Sequence, residues 1–329
     1  MRGYACAGAR GCNAQAPGRR AAAFAALTVF ALVWAPALAL DGSGSEAPQK
    51  IPLKNFSSVQ QALRVGLDDL KAGNPQSSVA ALTYAAEGGL PIARWKLGEM
   101  YADGVGVPRD DLKAYHYFNQ LVEDYDEDEL DRRNLSAISN AFVAVGVYCL
   151  NGIPNSLVRP DPERAHELFQ YAATTFGSVD AQYDLANMYI SGAGGLAKDN
   201  MVAVRWLGLA AERGHRPSQA LLGHLLFNGD GVPNQRARGL MWLQIARSGA
   251  LDPKDEWIRE LTQRDLAAAS DNDRQMAAAL LDQRAKGPPL PAMVARSVLK
   301  ALSALRPPSV PTLVASPPPV PPLPTSPAQ

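Results

Sequence analysis

Between residues 78 and 250 the apolar positions recur with the step of an α-helix. In "AAEGGLPIARWKLGEMYADGVGVPRD", residues 85–110, Ala93, Leu97 and Tyr101 fall at i, i+4 and i+8, one face of a 3.6-residue period, and predict a helix. Gly104 and Gly106 suit the positive φ of a tight helix exit. Pro108 stops the first helix from continuing, and Asp110 or Asp111 caps a second one, "DLKAYHYFNQLVEDY". Nothing in the region has the alternation of a strand.

The same phrase returns. "AFVAVGVYCLNGIP" (141–154), "AQYDLANMYISGAGGLAKD" (181–199) and "SQALLGHLLFNGDGVPNQ" (218–235) repeat the helix and its glycine turn, with matching glycines at Gly104, Gly152, Gly192 and Gly229. The second helix also recurs, as "DPERAHELFQYAATTFG", "MVAVRWLGLAAERGH" and "ARGLMWLQIARSGA". Asp161 and Pro162 open one of these as cap and first residue. Gly88, Gly177, Gly214 and Gly249 close the units as C-caps. A unit of helix, glycine turn, helix and glycine stacks only as a solenoid, because one helix pair cannot bury its own apolar face. The fold expected is all-α, five to six helix pairs between residues 57 and 286, the first helix near Ser57 to Ala72 and the last near Arg284.

The pattern Leu97-Gly98, Tyr101, Gly104 to Pro108 and Ala114, with Trp206, Ala210-Ala211 and Gly214 in a later unit, resembles the Sel1-like repeat, a relative of the tetratricopeptide repeat. That resemblance implies a right-handed solenoid that binds other proteins. The unit around Cys149 departs from it, with an insertion from Asn155 to Pro160 that puts its turn geometry in question.

Composition changes the picture at the two ends. Residues 1–39 read as a secretory leader: Arg10, Arg19 and Arg20 precede the apolar run "AAAFAALTVFALVWA", and Ala37-Leu38-Ala39 has the small-x-small cleavage pattern. The run is shorter than the about 20 residues of a membrane span. Cleavage after Ala39 places the chain in the periplasm, leaves Cys149 as its one cysteine, and leaves 28 basic against 32 acidic residues. That balance gives no reason to expect nucleic acid as a partner. Residues 40–56 read as a flexible linker. Residues 287–329 hold 13 of the 26 prolines and read as a largely disordered tail. Within it a short helix at 292–305 covers the end of the array or makes a peripheral membrane contact.

Chemistry is sparse. His116, His166, His215 and His224 show no ligand spacing with one another or with Cys149, so no metal or cofactor is expected. No nucleophile elbow, Walker loop, dinucleotide fingerprint or His-Glu-x-x-His motif appears, so no catalytic residue is assigned and the chain is not expected to be an enzyme. The acidic run Glu123 to Arg133 reads as a solvated face or an electrostatic docking patch. Tyr84, Trp95, Tyr115, Trp206 and Trp242 recur at equivalent repeat positions and serve either as core packing or as anchors for a protein partner.

An exported array opening with "GLDDLKAGNPQSSVAALTYAAEGG" and ending with "WIRELTQRDLAAASDNDRQMAAALLDQ" is similar to the ExoR-type negative regulators of exopolysaccharide production. That similarity implies a periplasmic protein that restrains an inner-membrane sensor kinase through its external domain. A structural adaptor in envelope assembly is the alternative, and an envelope hydrolase needs a polar pocket that the residues do not announce.

Overall fold

The computed structural model describes residues 56–127 and 132–286. The leader, most of the linker and the proline-rich tail with its helix at 292–305 lie outside the described residues. Among the described residues there are twelve α-helices and no strand. They are α1 (Val59–Lys71), α2 (Pro75–Glu87), α3 (Pro91–Asp103), α4 (Asp111–Glu123), α5 (Leu135–Asn151) and α6 (Pro162–Tyr171). Then follow α7 (Val179–Ser191), α8 (Asn200–Glu212), α9 (Arg216–Asn228), α10 (Arg236–Ser248), α11 (Glu256–Ala267) and α12 (Asp271–Lys286). No described helix is long and apolar enough to cross a membrane.

Odd and even helices pack as pairs from α1–α2 to α9–α10, and the second helix of each pair packs on the first helix of the next. The chain is therefore an all-α solenoid of helix pairs. α11 rests on α10 and α9, while α12 returns to pack on α10.

The local signals act as the chemistry demands. Asp110, not Asp111, caps α4, accepting a hydrogen bond from the Lys113 N–H. Ser58, Asp161, Ser178 and Asp199 do the same for α1, α6, α7 and α8, each satisfying a donor that the first turn leaves open. Proline stands in the first two positions of α2, α3, α6 and α9.

Small residues set the spacing inside a pair. A Cβ on Gly98 of α3 would sit 2.3 Å from Cε1 of Phe118 on α4, and one on Gly146 of α5 would sit 2.5 Å from Cε1 of Phe169 on α6. The fourth pair, α7–α8, carries Ala186 and Leu207 at these register positions. There an alanine stands with the smaller leucine in place of glycine with phenylalanine.

The pair α5–α6 breaks the regularity. Each helix of α1–α4 and α7–α10 has 13 residues, but α5 has 17. α6 runs on into a single π-turn, Ala172–Phe176, before Gly177 reverses the chain at φ 64°. The turn between α5 and α6 also departs: Gly152 adopts φ 68° and ψ 176° instead of the left-handed helical exit seen at Gly104, Gly192 and Gly229. The inserted loop explains it, because the Ile153 N–H bonds back to Val158 O and holds a small closed excursion.

Candidate functional site

The five repeated aromatics do not converge; they lie on α2, α3, α4, α8 and α10. Trp95, Trp206 and Trp242 are buried in the cores between stacked helices, Trp95 with its ring 4.8 Å from that of Phe118. Burial assigns these three to packing. Tyr115 is half-buried, meets the ring of Tyr148 edge-on at 6.0 Å, and has its phenol pKa pushed up by burial. Tyr84 is 37% exposed, against Phe56 at 5.4 Å.

The histidines are engaged in structure. His215 Nε2 stands 3.3 Å from Asp180 Oδ1, and its Nδ1 stands 2.7 Å from Ser218 Oγ, an Asp-His-Ser order that hydrolases also use. Here Ser218 is fully buried, and its N–H points at His215 Nδ1, so the group is a helix cap closed to substrate. The hydrogen bond from His215 holds the Asp180 carboxyl below the usual range. One turn on, Asp184 makes no hydrogen bond or ion pair with the described residues, and burial, with the charge of Asp180, pushes its carboxyl up to about 7. His224 Nδ1 lies 2.6 Å from Oδ2 of the buried Asp265. Burial pushes the His166 pKa down. Among the described residues no three His, Cys, Asp or Glu side chains are placed to hold a metal ion.

Grooves open between the described helices. One, of about 510 Å³, lies between α2, α3 and α4. In it Tyr101 and Tyr117 stack at 5.8 Å, Lys113 sits 5.2 Å above the Tyr101 ring and pairs with Asp110, and Arg94 pairs with Asp124.

The second groove, of about 450 Å³, lies between the start of α5, the π-turn and the start of α7. Its aromatic side is continuous with a cluster in which Tyr125 lies 5.7 Å from Phe142, 6.1 Å from Tyr171 and 5.4 Å from Phe176. Tyr171 donates its hydroxyl to Glu127. The acidic run is thus only in part the solvated face expected, since Tyr125 and Glu127 anchor one end to the core; residues 128–131 lie outside the described residues. The sequence reading missed this groove. Its signal was available in the extra residues before Ser139 and after Thr174, which break the repeat.

Among the described residues, four of the eight exposed large apolar side chains share another edge. Val105 and Leu157 sit on the turns inside helix pairs, and Leu112 and Met201 are the second residues of α4 and α8. All four occupy the edge of the array where first helices end and second helices begin.

Comparison with known proteins matches this geometry. The Sel1 repeat family matches residues 91–123, 139–174, 179–215 and 216–249. The exopolysaccharide production negative regulator of Rhizobium meliloti (strain 1021) is 32% identical over 252 residues, 76% of this chain and 88% of that protein. The protein so named in Rhizobium leguminosarum bv. viciae is 34% identical over 254 residues, 77% and 92% of the two chains. The chain belongs to this family of exopolysaccharide production negative regulators. As a Sel1-repeat member of the family it has a protein-interaction fold. In the solved structures, the Sel1 repeat protein of Oxalobacter formigenes aligns with a TM-score of 0.48 at 21% identity, over 58% of this chain and 73% of that one. The repeat matches leave out residues 124–138 and 175–178, and those stretches supply most of the wall of the second groove.

Proposed function

We propose that this regulator is exported, loses its leader after Ala39, and holds an inner-membrane sensor kinase in its off state by binding the kinase's external domain, so repressing exopolysaccharide production. The observation that carries the reading is family membership, with the alignment covering 88% and 92% of two relatives named for negative regulation. The apolar edge supports it. Val105, Leu112, Leu157 and Met201 expose apolar side chains along that edge, which a partner's interface core would cover. Tyr84 and Tyr115 belong to the partner surface in this reading. Trp95, Trp206 and Trp242 contribute by holding the helices that present it.

The test is crosslinking in intact cells with the full chain as bait, beside deletion of its gene. One inner-membrane sensor kinase in the eluate and raised exopolysaccharide in the deletion strain are the expected results. Recovery of envelope-assembly components without a kinase would move the reading to the structural adaptor. Sequencing the N-terminus of the recovered protein should begin at Leu40, and an intact Met1 would overturn export by cleavage.

A further inference from the structure

The second groove is built from what the repeat lacks. α5 carries an extra N-terminal turn, α6 carries a π-turn, and the two additions face each other across the opening. π-turns interrupt a helix at an energetic cost and concentrate at functional sites. Neither addition is needed to stack the array, since the other four regular pairs do without them.

The wall that α5 presents is polar. Ser136, Ser139 and Asn140 lie at i, i+3 and i+4 on one helix face, and none of their side chains hydrogen-bonds to another described residue. Ser139 is 9% exposed and lines the groove. Hydroxyls and an amide that make no hydrogen bond within the protein can bond a ligand in place of water. On the facing wall stand Thr175 and the Ser178 hydroxyl, whose oxygen accepts from the Ala181 N–H and whose proton remains to donate.

The rim adds one charge of each sign. Arg213 spends one N–H on Gly177 O, and its other donors make no hydrogen bond with the described residues. Asp180 gives one oxygen to His215 and keeps the other. One guanidinium and one carboxylate on the same rim disfavour a multiply charged anion, and a single carboxylate cannot hold a metal ion. An apolar ligand would leave the hydroxyls and the amide unpaired. The chemistry that fits is a neutral molecule with many hydroxyls, each both donor and acceptor, and with an apolar face to lie on Tyr125 and Phe176.

We propose that this groove binds a neutral saccharide of one or two rings. Its volume lies within the ~300–1,000 Å³ of small-molecule sites. The site goes beyond the kinase reading and stands without it, because it lies at the edge opposite the exposed apolar residues and is assayed with no partner present.

The test is saturation-transfer and amide-shift NMR on the full chain, titrated with cellobiose, lactose and maltose, with triglycine as the comparison. Saturable shifts for at least one disaccharide, confined to residues 135–140 and 175–180, are expected. Asn140→Ala should weaken binding about five- to tenfold, the loss of one hydrogen bond, with an unchanged melting temperature. Ser136→Ala combined with Asn140→Ala should abolish it. Purified exopolysaccharide is titrated in parallel, and binding of the polymer alone would assign the site to chain ends in place of free sugar. No saturation to about 20 mM, far above the ~1 mM of a weak site, overturns the proposal. Equal affinity in the double variant, or tighter binding of triglycine, does so too. Kinase capture by the same variants separates the two readings, since a failed sugar titration leaves it untouched.

Discussion

The guanidinium of Arg284, on α12, lies over the ring of Trp242, on α10, with Cζ 4.5 Å from the ring centroid. The same group forks onto Glu212 at the end of α8, with contacts of 2.7 and 3.3 Å. One side chain thus clamps the last helix across two earlier ones, and it covers a tryptophan that the repeat pattern alone offers as a partner anchor.

Arg284→Ala should therefore destabilise the end of the array. A cation–π contact and a half-exposed ion pair together suggest about 1–2 kcal/mol. Urea unfolding should register this, and hydrogen exchange should show faster opening of α12. Unchanged exchange in α12 would mean that Leu280 and Leu281 hold the helix without the clamp.

Gly98→Ala should cost about 1–3 kcal/mol by overpacking against Phe118, since the new Cβ begins 2.3 Å from the ring. Phe118→Leu in the same chain should return part of that loss, because the fourth pair already combines Ala186 with Leu207. Additive losses in the double variant would deny that the two residues share one contact.

Asp184→Asn should flatten one limb of the pH–stability curve. In the folded chain this carboxyl is pushed up to about 7 from 3.8, so the native state holds a proton that the unfolded state has released. The cost of that mismatch is absent below about pH 4, grows as pH rises through the window, and is complete above about 7. Asp184 is half-buried and not sealed, which limits the gain expected from the variant to about 1–2 kcal/mol at pH 8, with none at pH 4. Thermal unfolding of both proteins across pH 4–8 checks it.

Leu157→Asp and Met201→Asp should weaken kinase capture several-fold while changing stability by less than about 0.5 kcal/mol, because both side chains face solvent. Capture at the level of the unaltered chain would remove this edge from the interface.

The helical period, the glycine exits, the aspartate caps and the repeat were all written locally. Ala93, Leu97 and Tyr101 announce a helix face, Asp161-Pro162 opens α6, and Gly104 and Gly192 take the left-handed conformation that a turn of this kind needs. Such features depend on residues within a few positions of each other, which is why they survive reading in one dimension, and the family resemblance rests on them.

What the repeat positions are for was decided only by tertiary packing. Trp95, Trp242 and Tyr84 look alike in the sequence as repeated aromatics, but Trp95 stands on a first helix and the other two on second helices, and burial depends on which helix arrives opposite: α4 covers Trp95, α12 covers Trp242, and Tyr84 keeps an exposed ring. The second groove has the same origin. Ser139 and Thr175 are separated by a helix, a loop and another helix, and only the closing of α5–α6 with a π-turn in place sets them on facing walls. Local sequence determined the units of this protein; the contacts between distant units determined which of their side chains remain available to a partner.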